Sequence, residues 1–173
     1  DFDPAADALP VAEWLDIDRY ALALMRDVSA KTQADYERCE YHPIVARLQS
    51  FAYEDLGAFY LDILKDRLYT TPPNSHARRS AQSALHLITD ALLRLMAPIL
   101  SFTAEEAWKV FRRRADGQAG TIFTELYATL PDVPDEAALV ERWTALRAVR
   151  VLDELRQRIH HHLIDELGPI LYD

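Results

Sequence analysis

Apolar residues recur every three or four positions along three long stretches of this chain, and proline closes each stretch. Ile17, Ala21, Leu24 and Val28 form the first set. Val45, Leu48, Ala52, Leu56, Phe59 and Ile63 form the second, and Ala81, Leu85, Ile88, Leu92 and Leu95 the third. That spacing returns to one side of an α-helix at every turn, so each stretch presents a single face to a core. Pro43, the pair Pro72-Pro73, and Pro98 are the breakers. Only 4 Gly stand against 9 Pro, which disfavours a turn-rich β fold and suits helices joined by proline-bearing corners. The expected fold class is all-α, an antiparallel helical bundle with short connections.

Local signals place the elements. A first helix is expected from Asp16 or Asp18 to about Glu40, its stripe thinning after Val28 so that its end projects towards solvent. Tyr41-His42-Pro43 ends it, and Pro43 can open a second helix that runs to Leu68. Gly57 inside that run marks a close helix crossing, or nothing. Ser75 is the expected cap of a third helix reaching Ala97. Thr103-Ala104-Glu105-Glu106 has the form of a capping box for a fourth helix, from Ala104 to about Arg113. Residues 115–134 read as a connector with a short extended piece at Thr121-Ile122-Phe123, and Asp135 as the cap of a fifth helix running past Arg150. The bundle is assigned to residues 1–150. Residues 151–173 form a C-terminal helical tail with Val151, Leu152, Leu155, Ile159, Leu163 and Leu167 on one stripe.

Length and composition fit one globular domain: 173 residues, half of them hydrophobic. No apolar run approaches the ~20 residues of a membrane span. The start, Asp1-Phe2-Asp3-Pro4, has neither the basic flank nor the apolar stretch of a signal peptide. A single cysteine, Cys39, fits a reducing compartment. A net charge of −9 argues against non-specific binding to nucleic acid. The charge is uneven, however. Residues 1–41 hold ten acids and four bases, whereas residues 75–114 hold seven bases (Arg78, Arg79, Arg94, Lys109, Arg112, Arg113 and Arg114) and three acids. These cations either form a local basic surface or a solvated helix face with scattered ion pairs.

Catalytic and metal chemistry finds little support. Asp62 and Asp66 share a helix face, and paired carboxylates can transfer protons or hold a metal. With Lys65 and Arg67 beside them, and Arg78 and Arg79 just past the turn, the favoured reading is an ion-pair cluster fixing that corner. His160-His161-His162 are consecutive and point in different directions, unlike the i, i+3 or i, i+4 ligands of helical metal sites. Cys39 and His42 supply only two candidate ligands. No metal site and no catalytic residue is expected. Trp14, Trp108 and Trp143, with eight tyrosines, can stack on nucleobases, but each tryptophan also suits a core or corner, the reading favoured for Trp108.

Five strings carry a resemblance: Asp1-Phe2-Asp3-Pro4, Asp18-Arg19-Tyr20, Phe59 to Thr70, Ala77-Arg78-Arg79-Ser80-Ala81-Gln82, and Met96 to Trp108. In order and spacing the chain resembles the anticodon-binding helical domain of bacterial-type isoleucyl-tRNA synthetases, class I aminoacyl-tRNA synthetases. The third and fifth strings separate it from the related valyl and leucyl enzymes. The resemblance implies a helical bundle that contributes tRNA recognition to isoleucyl-tRNA synthesis in the cytoplasm. The implied partners are isoleucine tRNA, bound weakly by this segment alone, and the catalytic domain of the parent enzyme, with no membrane. The parent family uses ATP and magnesium, and zinc in a further C-terminal region. Neither the His-Ile-Gly-His-type nor the Lys-Met-Ser-Lys-Ser-type string occurs here, and the paired cysteines are absent. No cofactor and no isoleucine activation are therefore expected of these residues alone. The family carries a bundle helix ahead of the Asp-Phe-Asp-Pro string, and the resemblance fades after Arg147. Candidate tRNA contacts are Arg112, Arg113, Arg114, Lys109, Arg78, Arg79, Lys65 and Arg67. The alternative is a non-catalytic protein-interaction module, derived from such a bundle, that no longer binds tRNA.

Overall fold

The computed structural model describes residues 2–112 and 120–171, with side-chain environments through residue 158. Two compact units are present, Asp1–Glu136 and Ala137–Asp173. In the first unit the order is α1 (Pro4–Asp7), a 3₁₀ turn (Val11–Glu13), α2 (Asp16–Glu37), α3 (Tyr41–Ser50), a π-helix (Phe51–Leu61), α4 (Asp62–Thr70), α5 (His76–Met96), α6 (Ser101–Phe111) and a second 3₁₀ turn (Ile122–Thr124). The last helix, α7 (Glu136–Leu171), makes up the second unit. No strand occurs among the described residues, so the all-α expectation holds.

Successive long elements run up, down, up and down. Asp35 near the end of α2 meets Arg47 on α3, while Asp18 near its start meets Tyr60 and Arg67. Arg67 also reaches the Ala77 carbonyl across the α4–α5 corner. α2 and α5 are consequently parallel neighbours: Ser80 bonds Asp18 at one end and the Tyr36 hydroxyl donates to the Leu95 carbonyl, 2.7 Å away, at the other. α5 carries small side chains on its buried side, Ser80, Ala81, Ser83 and Ala84, of which Ser80 bonds α2 and Ser83 the N-terminal segment. Small contacts let helix axes approach closely. Leu22, Met25 and Ile88, each at most 1% exposed, fill the remaining space.

The second helix departs from its expected phase. The structure buries Ile44, Leu48 and Phe51, then Phe59, Tyr60 and Leu64. Val45 and Ala52, expected on the core face, are exposed, whereas Leu48 and Phe59 keep their expected burial. Val45 lies in α3, where Ile44 and Leu48 hold the buried face. Beyond Phe51 the phase shifts because of the π-helix, whose i→i+5 bonding takes in an extra residue per turn. Two α-turns from Phe51, about seven residues on, would return Ala58 to the core. The wider turn delivers Phe59 and Tyr60 instead. Gly57 faces no neighbouring helix. A Cβ there would lie 3.2 Å from the Ala52 carbonyl five residues back, so its lack of a side chain accommodates the π turn.

Four further expectations are corrected. α2 does not project after Val28, because Ser29, Thr32 and Asp35 continue its buried face as polar residues, with Asp35 paired to Arg47 and Arg38. The Thr103 capping box does not form: the turn after Pro98 starts α6 at Ser101, which places Thr103 on an exposed helical face. Thr121-Ile122-Phe123 is not extended. Residues 122–124 form a 3₁₀ turn that lets Ile122 bury beside Trp108. Asp135, expected to cap α7, has φ 52°, in the left-handed region rather than the extended region of an N-cap.

The connector returns along α2, where Arg26 donates to the Leu130 and Pro131 carbonyls and pairs with Asp132 and Glu136. In α7, the tail residues Val151, Leu152 and Leu155 are exposed. The side chains of His160 to His162, Ile159, Leu163 and Leu167 lie outside the described residues.

Candidate nucleic-acid interface

The eight candidate cations fall into two groups on different elements. At the α4–α5 corner, Ser75 caps α5 by accepting from the Arg78 N–H, as its sequence position suggested. That cap fixes the direction of the first α5 turn and of its two arginines. Arg78 donates to the Thr71 carbonyl at 3.2 Å. Arg79 donates to Asn74 (2.8 Å) and Gln82 (3.1 Å) and pairs with Asp7 (3.3 Å). Lys65 is exposed and pairs with Asp62 at 2.8 Å, a contact that raises its pKa through hydrogen bonding and charge. Arg67 points inward, with both terminal nitrogens on the buried Asp18 carboxylate.

The second group lies at the C-terminal end of α6. Lys109 pairs with Glu105 at 3.4 Å. Glu105 also accepts from the Ile122 N–H (2.9 Å) and the Thr121 hydroxyl (3.1 Å). The backbone bond from Ile122 is the main cause holding its carboxyl below the usual glutamate range. Trp108 is core, 1% exposed, and the guanidinium groups of Arg112 and Arg94 lie over its ring at 5.2 and 5.1 Å. Arg94 is held by Asp90 and Glu125, and Arg112 is half-buried. Arg113 and Arg114 lie outside the described residues.

An aromatic row joins the two groups. The Arg79 guanidinium sits 5.8 Å from the Phe2 ring centroid. Phe2 lies 6.2 Å from His86, and His86 stacks on Phe111 at 4.9 Å. Phe111 in turn meets Trp108 at 6.0 Å, beneath Arg112. Phe2 reaches this position because the N-terminal segment is fastened to α5: the Leu9 N–H donates to Ser83, the Leu15 N–H to Ser80, and the Trp14 indole to the Leu9 carbonyl. Burial pushes the His86 imidazole below its ordinary pKa, and Arg112 acts in the same direction, while Asp90 opposes them. Burial and Arg112 thus disfavour the imidazolium, and the guanidinium groups of Arg79 and Arg112 lie at the two ends of the row.

Phe2, His86 and Phe111 were not singled out in the sequence as contact residues. A signal was available for His86, which lies two helical turns after Arg79 and so on the same flank of α5. Among the described residues no group of three or more His, Cys, Asp or Glu side chains could hold a metal ion. No helix of the described residues is long and apolar enough to cross a membrane.

These features define a class, a helical bundle in which a half-buried aromatic row, packed onto the Trp108 core, lies between arginines of α5 and α6. Residues 18–167 match the family described as the anticodon-binding domain of tRNA ligase, and the chain belongs to that family. The match takes in residues 151–167 of α7. The chain is similar to the isoleucine–tRNA ligase of Paraburkholderia phymatum, 59% identical over 150 residues, covering 87% of this chain and 15% of the relative. The isoleucine–tRNA ligase of Burkholderia multivorans is 58% identical over 150 residues, with the same coverage. That of Bordetella avium is 57% identical over 162 residues, 91% of this chain and 17% of the relative. The chain thus spans about one sixth of the length of such relatives.

Proposed function

We propose that this chain is a tRNA-recognition module, contributing anticodon-region contacts to the formation of isoleucyl-tRNA. The observation that carries the reading is the row from Arg79 through Phe2, His86 and Phe111 to Arg112, on a chain of an anticodon-binding family. An acidic protein needs a local cationic surface to meet a polyanion, and Lys109 and Arg112 at the α6 end of this row supply one. Lys109 and Arg112 are the principal phosphate contacts, joined by Arg113 and Arg114. Lys65 contributes at the far corner. Arg78 and Arg79 orient the N-terminal segment and the row, and Arg67 serves the core.

The partners of the reading are isoleucine tRNA and the remainder of a longer ligase, in the cytoplasm. Chemistry belongs to that remainder, where ATP, magnesium and zinc are used. The segment alone gives no isoleucine-dependent ATP–pyrophosphate exchange. The test of function is filter binding of the intact chain to an isoleucine tRNA transcript and to a non-cognate tRNA. Tighter retention of the isoleucine transcript, abolished by Arg112→Ala/Phe111→Ala substitution, supports the reading. Absent retention of both transcripts removes it and leaves a protein-interaction module; equal retention leaves tRNA binding but removes the isoleucine assignment.

A further inference from the structure

The middle of the aromatic row has a chemistry that its ends lack. His86 is a titratable group placed between Phe2 and Phe111, 6.2 and 4.9 Å from their ring centroids. Its charged surroundings come from three elements. Asp90 lies one turn further along α5, held by Arg94 at 2.8 Å. Arg112 lies at the end of α6 and acts on the imidazole. Arg79, one side of the row, carries Asp7 of the N-terminal segment. Asp90 and Asp7 are thus each paired with an arginine, so neither is a dedicated counter-ion for an imidazolium. A phosphate brought onto the row between Arg79 and Arg112 would supply that counter-ion.

We infer that His86 is an RNA-contact residue and that RNA held on this row is bound together with a proton on its imidazole. The inference rests on the reading that this row binds tRNA, and it adds a regulator, pH, and a residue. The sign follows from linkage: an anion beside a histidine favours the charged form, so the bound state takes up a proton and binding tightens as pH falls. Burial and Arg112 work against protonation in the free protein, which leaves room for the bound state to raise the pKa. The stacked rings do not oppose this, because an imidazolium over Phe111 keeps a cation–π contact.

The test compares wild type, His86→Gln and His86→Arg by filter binding to the same isoleucine tRNA transcript at constant ionic strength. Thermal melts establish that each variant is folded. From about pH 7.5 to about pH 5.5 the wild type is expected to gain about three- to tenfold in affinity, the size of one added charged contact. Its salt slope should steepen by about 0.7, the increment of one phosphate contact on a single strand. His86→Gln should lose that gain. His86→Arg should bind at the higher pH as tightly as wild type does at the lower, and respond little to pH. A wild-type response matched by both variants overturns the inference while leaving tRNA binding intact. Absence of binding by wild type at either pH overturns the function reading along with it.

Discussion

Arg67 grips both carboxylate oxygens of Asp18, at 2.7 and 2.9 Å, and Asp18 has no exposed surface. The Tyr60 hydroxyl (2.7 Å) and the Ser80 hydroxyl (2.5 Å) complete its coordination. Four elements, α2, the π-helix, α4 and α5, therefore meet on one buried charge. Burial, and then the neighbouring carboxylate, push the Tyr60 phenol far above its ordinary pKa, so it remains a donor throughout the working range. Removing one partner leaves a charge buried without compensation. Arg67→Met is expected to destabilise the chain by about 3–5 kcal/mol. Lys65→Met, which breaks only an exposed pair with Asp62, should leave the urea midpoint unchanged. Equal midpoints for the two variants would refute the central role given to Asp18.

Much of this was legible, but not for the reasons the residues first suggest. Asp18, Tyr60 and Arg67 all stand in the strings that carried the family resemblance, yet Arg67 read as part of a corner ion-pair cluster or as a tRNA contact. Nothing in one sequence distinguishes an arginine that meets phosphate from one that meets a buried carboxylate 49 residues away. The core stripe of α5 was readable because Ala81, Ile88 and Leu95 keep α-helical spacing. The part of the Val45–Ile63 stripe beyond Phe51 was misphased because the π-helix changes the period within the run, a change that spacing rules built on 3.6 residues cannot register. Thr32 and Asp35 were missed as core because Arg47 reaches them from α3, a partner that the α2 sequence does not show. The row through Phe2, His86 and Phe111 joins three distant segments, so only the fold reveals it.

The end of α2 offers a gain in stability. The Glu40 N–H bonds the Asp35 carbonyl and the Cys39 N–H bonds the Tyr36 carbonyl, the paired bonds of a Schellman motif. Cys39 takes the position usually held by glycine, with φ 58°. A side chain in that region costs about 1–2 kcal/mol, and glycine's greater freedom in the unfolded chain offsets part of the relief. Cys39→Gly is thus expected to raise stability by about 0.5–1 kcal/mol, read as a higher urea midpoint at unchanged m-value. A fall in stability would show that Cys39 contributes packing that outweighs the strain.

Glu105 gives the attachment of residues 121 and 122 to α6 a pH dependence. Its folded pKa lies below the ordinary 4.5, chiefly because the Ile122 N–H donates to the carboxylate. A group with a depressed folded pKa contributes stability above its unfolded value, and loses it as pH falls through the folded one. Wild type should therefore melt above Glu105→Gln at neutral pH, and the two melting temperatures should converge as pH drops below 4.5. A gap that persists unchanged into more acid solution would mean that the charge is not what fastens residues 121 and 122.

The two groups of cations are separable by salt. For every phosphate left without its cation, the slope of log affinity against log salt falls by about 0.7–0.9. Lys109 keeps 61% of its side-chain surface exposed, and its Glu105 partner lies at 3.4 Å, long for a charged pair. Arg112 lies over the Trp108 ring at 5.2 Å, fixed in place by an aromatic face. Lys109 can turn towards a polyanion without breaking the core, and Arg112 can present its guanidinium edge to one while keeping its place over Trp108. Lys109→Ala/Arg112→Ala should therefore lower the salt slope for an isoleucine tRNA transcript by about 1.4–1.8, with little change in melting temperature. Arg67→Met should do the reverse, lowering the melting temperature while the folded fraction keeps its slope. Stacking of bases on Phe2 and Phe111 is insensitive to salt, so Phe111→Leu should weaken binding at constant slope. A double variant at Lys109 and Arg112 with the wild-type slope would remove the end of α6 from the RNA surface, whatever the affinity.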